Sequence, residues 1–141
     1  DTVRSKDFNT WTKDEVTHYL ATVIEGDGSI QIKNSKNTKH FKAAIVSKSP
    51  QYLANLVSIA ASKLNIKSRF TKIKSYQTKN GITDMYALYI LCSRKDRTNL
   101  DFLKNLLKYK VMTLDRKKEK VQEFVTWVNT QTEKPILENR V

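Results

Sequence analysis

The chain has 141 residues, a typical length for one domain, and 39% of them are hydrophobic, which is enough for a core and excludes a disordered tail. Its 26 lysines and arginines outnumber its 14 acidic residues, and the resulting charge of +12 is typical of proteins that bind nucleic acid, although a basic protein without such a partner is the alternative. The single cysteine, Cys92, excludes an internal disulfide and a cysteine-based zinc site, and no apolar run is long enough to cross a membrane.

The first predicted element is a helix that begins near Lys13. Residues 1–10 are polar and are expected to form an N-terminal arm. Thr12 is a suitable N-cap, and Glu15 three positions later completes a capping box. The apolar residues that follow recur at helical spacing and predict one buried face, which consists of Val16, Tyr19, Leu20, Val23 and Ile24.

This helix leads directly into a turn in which two of the three glycines, Gly26 and Gly28, flank Asp27. Glycine relaxes the backbone where a helix ends abruptly and where another group approaches closely, so the turn presents Asp27 at a tight helix exit. A carboxylate there faces the negative end of the helix dipole. A hard divalent cation would compensate, and the carbonyl of Gly26 is a second oxygen in the right place.

Two strand pairs and three more helices are predicted after the turn. The first strand alternates Ile30 and Ile32 with polar residues, and the second covers about 41–47, where two sets of residues compete for the inner face. Ser49 and Pro50 begin a helix that runs to about residue 64. The remaining elements are a hairpin with strands near 68–76 and 83–91, a helix that includes residues 100–107, a helix near 113–130, and a C-terminal tail over 132–141.

The last helix carries a basic run, which is interpreted as a solvated face; it consists of Arg116, Lys117, Lys118 and Lys120. The order of all the elements predicts a single α+β domain over 1–141, with four antiparallel strands on one side and helices on the other.

The sequence around the turn resembles the LAGLIDADG motif of homing endonucleases. The matching residues are Leu20, Ala21, Ile24, Glu25, Gly26, Asp27, Gly28 and Ser29. The resemblance implies an αββαββα core, in which a four-stranded, antiparallel, saddle-shaped sheet is backed by helices and sits on DNA. The chain holds one motif, which in this family implies a homodimer whose motif helices pack across a two-fold axis. The residues predicted for that interface are Leu20, Ala21 and Ile24, although Thr22 stands where the motif usually has glycine.

The resemblance also implies metal-assisted hydrolysis of DNA phosphodiesters. Asp27 and the Gly26 carbonyl would hold Mg²⁺ or Mn²⁺, and the two Asp27 side chains of a dimer would flank the two scissile phosphates. Repulsion between these carboxylates is a further reason to expect metal dependence. By position, Lys48 resembles the first auxiliary polar residue of the family, and Lys110 resembles its catalytic lysine.

Alternate strand residues on the sheet face away from the helices would enter the major groove of double-stranded DNA. The predicted DNA-binding residues are Gln31, Lys33, Arg69, Lys72, Lys74 and Lys79. Some of them would contact only phosphate, which positions the protein without specifying sequence. For any one lysine, an ordinary solvated position is the alternative.

The leading hypothesis is therefore an intron-encoded, site-specific homing endonuclease that makes a double-strand break in a long, near-palindromic target. A non-catalytic maturase that binds intron RNA is the alternative, and a DNA-binding regulator with the same fold is a third hypothesis. No signal-peptide pattern begins the sequence, which predicts an intracellular protein and leaves a prokaryotic cytoplasm and an organelle both open.

Overall fold

The computed structural model describes residues 10–26, 28–109 and 112–131. Asp27, Lys110, residues 1–9 of the predicted arm and the predicted tail lie outside these ranges. The elements follow the order α1 (Lys13–Gly26), β1 (Gly28–Ser35), β2 (Thr38–Ser47), α2 (Pro50–Leu64), β3 (Ser68–Thr78), β4 (Gly81–Ser93), α3 (Leu100–Lys108) and α4 (Asp115–Thr130). This order confirms the predicted α+β fold. In the described part of the chain, no helix combines the length and apolar character that a membrane crossing requires.

The four strands form one antiparallel sheet in the order β1-β2-β4-β3. The turn between β1 and β2 contains Lys36 and Asn37, both with positive φ, as two-residue hairpin loops require. Gly81, at φ 116°, begins β4 after the turn of the second hairpin. Tight turns of this kind fix the strand register, which places the side chains of paired residues on the same face of the sheet.

One face of the sheet, called the inner face, packs against the helices, and the opposite face is called the outer face. On β2, Phe41, Ala43 and Ile45 are buried in the core, and the exposed Val46 lies on the outer face. Packing thus decides between the two alternatives that the sequence left open for this strand. Leu88 and Ile90 of β4 complete the inner face, and the partly buried Tyr86 packs beside them.

Helix ends follow the predicted capping signals. The main-chain N–H of Thr12 donates to the Glu15 carboxylate at 2.8 Å, and the N–H of Glu15 donates to the Thr12 hydroxyl at 3.2 Å, so the capping box is present. The Ser49 hydroxyl accepts from the N–H of Tyr52 and caps α2. At the other end of α2, Asn65 adopts a left-handed conformation that stops the helix.

The predicted dimer interface is wrong because its three side chains are used inside this chain. Leu20, Ala21 and Ile24 are each no more than 1% exposed and belong to the hydrophobic core. Helix α1 packs against α2, α3 and both strands of the first hairpin, so apolar residues on more than one side of it are covered. Their apolar character is therefore explained by core packing, and these three side chains offer no surface to a partner subunit.

A buried amide joins the helical layer to the second hairpin. Asn99, just before α3, is 3% exposed. Its Oδ1 accepts from the N–H of Lys67, and its Nδ2 donates to the carbonyls of Lys67 and Leu91, all at 2.8 Å. Three satisfied hydrogen bonds allow a polar side chain to be buried here. They hold the start of β3 and the end of β4 against α3.

Candidate functional site

The two glycines of the motif turn have different roles. A Cβ atom on Gly28 would lie 2.5 Å from the carbonyl oxygen of Ala44 and 2.9 Å from the Cα of Ile24. Gly28 is therefore required because the end of α1, the start of β1 and strand β2 meet there. Gly26 is exposed, and outside its own helix and immediate neighbours no described atom lies within 4 Å of a Cβ built on it. Its side of the turn faces open space among the described residues.

Lys117, the third residue of α4, contacts this turn from the opposite side. Its Nζ donates to the carbonyls of Ile24 at 2.8 Å, Glu25 at 2.7 Å and Gly28 at 2.9 Å, and the residue is only 7% exposed. The interpretation of Lys117 as part of a solvated basic face is therefore wrong. The start of α4 packs beside the end of α1, so the aliphatic stem is buried while the ammonium group reaches main-chain acceptors.

The position of Lys117 changes the electrostatic argument made from sequence. Its ammonium group lies at the negative end of the α1 dipole and supplies a positive charge that this helix end favours. The helix end therefore does not itself require a divalent cation, and the expectation of a metal rests on the family resemblance. The Gly26 carbonyl is not among the three carbonyls that Lys117 contacts, and its exposed position suits an oxygen ligand.

Glu25 makes the converse contact with α4. Its Oε2 accepts from the main-chain N–H groups of Thr113 at 2.7 Å and Leu114 at 2.6 Å, just before the helix begins. Unpaired N–H groups at a helix start favour a negative partner. Glu25 and Lys117 thus join the end of α1 to the start of α4 in both directions. The described contacts give Glu25 a structural role.

The remaining predicted catalytic residues lie at the end of the sheet or outside the described part. Lys48 is exposed and directly follows β2. Because Gly28 pairs with Ile45, the end of β2 and the start of β1 meet at one end of the sheet. Lys48 is therefore at the same sheet end as the motif turn. Asp27 and Lys110 lie outside the described residues, and their side chains are not placed.

The outer face carries most of the residues predicted to bind DNA. Gln31 and Lys33 are exposed on the outer face of β1, and Arg69 and Lys74 are exposed on the outer face of β3. Lys79 is exposed in the turn of the second hairpin.

Lys72 is on the wrong side of the sheet for the predicted role. It pairs with Tyr86, which packs against the core, so its side chain lies on the inner face. A shift in the pairing between Lys72 and Lys74 inserts Ile73, which a regular alternation in the sequence does not reveal.

The sequence reading missed Lys42, which lies near the centre of the outer face. Lys42 is exposed and pairs with Gln31 on one side and Leu91 on the other. Its Nζ lies 4.7 Å from the centroid of the Tyr89 ring, which is a cation–π distance. His40 is also exposed on this face, beside Lys33. The alternation of His40 and Lys42 with Phe41 and Ala43 in β2 indicates this outward position, but the apolar Ala44 and Val46 on the same face obscured the pattern.

The charged strand residues of the outer face are all basic. The strand residues assigned to it by pairing include no acidic residue; they are Ser29, Gln31, Lys33, Ser35, Thr38, His40, Lys42, Ala44, Val46, Arg69, Thr71, Lys74, Tyr76, Thr78, Gly81, Thr83, Met85, Ala87, Tyr89, Leu91 and Ser93. A groove of about 320 Å³ crosses one end of this face and is lined by Gln31, Lys33, His40 and Lys42, with Asp96 contributed by the loop after β4. A polyanion is the ligand that such a face favours.

Comparison with known proteins identifies one family. The family model of the LAGLIDADG-like domain matches residues 14–110, from the first turn of α1 to the residues just after α3. The match includes the motif turn and the whole sheet. A search of curated proteins finds no match to this chain.

Proposed function

Because the chain belongs to the LAGLIDADG-like family, which contains homing endonucleases and related maturases, we propose that it is a site-specific endonuclease that cuts double-stranded DNA as a homodimer. The observation that carries this proposal is the outer face of the sheet, which holds basic and polar residues and no carboxylate on its strands. The charge of this face supports the proposed DNA binding, and the family and the motif turn support the proposed cleavage.

The basic outer-face residues would bind the DNA backbone. Lys33, Lys42, Arg69 and Lys74 are all exposed, and each phosphate that such a group neutralises releases counterions. Four contacts per subunit give a dependence of log affinity on log salt concentration of roughly −3.6, at about −0.9 per phosphate contact. Gln31, which pairs with Lys42, is suited to bind a base edge in the major groove.

The chain's own residues at the motif turn would hold and orient the reacting groups. Asp27 and the carbonyl of Gly26, an exposed residue, would hold Mg²⁺ or Mn²⁺, which supplies charge stabilisation and an activated water when bound. Lys117 fixes the main chain on both sides of Asp27 through its three carbonyl contacts. Lys48, exposed at the same end of the sheet, would place positive charge beside the scissile phosphate.

The homodimer would use a different face of α1 from the one predicted from sequence. His18, Thr22 and Gly26 are exposed and lie four residues apart along one side of the helix. The Thr22 hydroxyl donates to the carbonyl of His18 at 2.9 Å, so burial of this group in an interface leaves no donor unsatisfied. The open space at Gly26 would allow a second α1 helix to approach closely.

A maturase that binds intron RNA is the second candidate, and exposed aromatic rings favour it. Tyr76 is 39% exposed on the outer face, and Tyr89 lies on the same face beneath Lys42. Unpaired RNA bases stack on such rings. Both candidates use the same surface, so the test must separate cleavage from binding.

The test is incubation with Mg²⁺ and the DNA of the host gene without its intron. We expect two defined fragments from a double-strand break, and we expect Asp27→Asn to abolish the break while retaining DNA binding in a mobility-shift assay. Asp101→Asn, at an exposed position in the first turn of α3, removes the same charge and should cut normally. An Asp27→Asn protein that still cuts would refute the catalytic assignment. A wild-type protein that leaves the gene intact and binds the intron RNA would identify the maturase.

A further inference from the structure

The outer face also carries apolar side chains among its basic residues, on the two central strands. On β2 and β4 five outer-face residues form what we call the apolar strip, which consists of Ala44, Val46, Met85, Ala87 and Leu91. Val46 and Leu91 are 37% and 44% exposed. Ala44 and Ala87 are buried beneath their neighbours and form the floor of the strip.

Pairing places most of these residues side by side. Val46 lies opposite Ala87, and Ala44 lies beside Val46 along β2 and diagonally across from Ala87. Tyr89, which lies opposite Ala44, separates Ala87 from Leu91 along β4, and Leu91 pairs with Lys42. The described helices pack on the inner face, so none of them covers the strip. From Met85 to Leu91 the strip extends over about 20 Å, at roughly 3.4 Å per strand residue.

The borders of the strip indicate what covers it. On one side, Ser29 of β1 lies opposite Ala44, and Gln31 and Lys33 follow further along that strand. On the other side, Lys74 of β3 lies opposite Met85, and Arg69 lies opposite Tyr89. An apolar protein surface would leave these cations without partners. Double-stranded DNA satisfies both regions, since its phosphates meet the basic borders while its base edges face the sheet centre.

The chemistry of the strip selects among base edges. The five side chains of the strip carry no hydrogen-bonding group, and the hydroxyl of Tyr89 is the one such group that lies among them on β4. The C5-methyl group of thymine is the apolar feature that base pairs expose in the major groove. Resting on the DNA binding of the proposed function, we propose that the apolar strip recognises thymine methyl groups, so each half-site is rich in thymine opposite the centre of the sheet. The affinity for DNA then depends in part on thymine methyl groups, which contribute through apolar contact and make no charged or hydrogen-bonded interaction.

The test uses binding alone, in EDTA to prevent cleavage. Duplexes are selected from a pool with a random 24-base-pair region, and the selected duplex is then made with deoxyuridine in place of every thymidine, which removes only the methyl groups. We expect selection to enrich thymine and the substitution to weaken binding about fourfold per buried methyl group, so more than tenfold where two are contacted.

Two variants assign the effect to the strip. Val46→Ser with Leu91→Ser should bind the thymine and uracil duplexes equally. Ile82→Ser is the matched control, because Ile82 is 74% exposed and pairs with Gln77 away from the strip; it should discriminate like the wild type. A protein that selects a sequence but binds both duplexes equally would overturn the strip assignment alone. A protein that selects no duplex would overturn the proposed function and the strip together, and a double variant that still discriminates would place methyl recognition elsewhere.

Discussion

Replacing Lys117 by methionine tests the contact between α4 and the motif turn. Methionine keeps the aliphatic stem but removes the ammonium group, so the carbonyls of Ile24, Glu25 and Gly28 lose a charged donor at 2.7–2.9 Å. An unsatisfied buried polar group costs about 1–3 kcal/mol, and water entering from the exposed side at Gly26 would satisfy part of the loss. We therefore expect the free energy of unfolding to fall by about 3 kcal/mol, which lowers the melting temperature by about 10 °C for a domain of this size.

Urea and thermal unfolding, followed by circular dichroism, measure this loss. The matched control is Arg116→Met, which removes one positive charge from the adjacent, exposed position of the same helix turn. Its effect should stay within about 0.5 kcal/mol, as for most exposed substitutions. If Lys117→Met is as stable as Arg116→Met, the three carbonyl contacts do not hold the turn, and the positioning role given to Lys117 is refuted.

Three further predictions concern the turn, the first cap and the buried thiol. Gly28→Ala should destabilise the chain by several kcal/mol in urea unfolding, roughly as for a tightly overpacked core, because a Cβ would lie 2.5 Å from a β2 carbonyl. Gly26→Ala is the control and should fold normally. Equal losses of stability from both changes would contradict the packing argument. Hydrogen bonds from the main-chain N–H and the hydroxyl of Thr12 lower the pKa of Glu15 below its ordinary value of 4.5. The ionised Glu15 therefore contributes to stability above pH 4.5, and this contribution is lost as the pH falls through the lowered pKa. Urea titrations from pH 2 to 7 should find that Glu15→Gln loses this pH dependence of stability. Burial, and to a smaller extent the charge of Asp96, raises the pKa of Cys92 to about 11. Iodoacetamide should therefore label Cys92 in the native protein at pH 8 much more slowly than in the urea-unfolded chain. Equal labelling rates would contradict the burial of Cys92.

Local signals in the sequence were sufficient to predict the elements of the fold. The capping box at Thr12 and Glu15 and the Ser49 cap are formed by residues three positions apart, so the helix starts could be found without tertiary information. The face of β2 could not be assigned in this way. Ala44 and Val46 have the same apolar character as the inner set, and only pairing with β4 places them outside.

The site was harder to predict because its contacts join distant parts of the chain. Lys117 lies in a run of basic residues and differs from them only because α4 packs against the end of α1, about ninety residues earlier. Leu20, Ala21 and Ile24 illustrate the opposite error, since apolar residues expected at a subunit interface are used in the core. In both cases the missing information was which helices pack together.

The amide of Asn99 makes the junction between α3 and the second hairpin sensitive to a change of one functional group. Deamidation would replace Nδ2, which donates to the carbonyls of Lys67 and Leu91, by an oxygen that cannot donate when ionised. Oxygens would then face each other at both contacts, inside a region that water does not reach. A chain hydrolysed at this position while unfolded could not rebuild the junction, so prolonged heating would convert reversible unfolding into permanent loss of the native state.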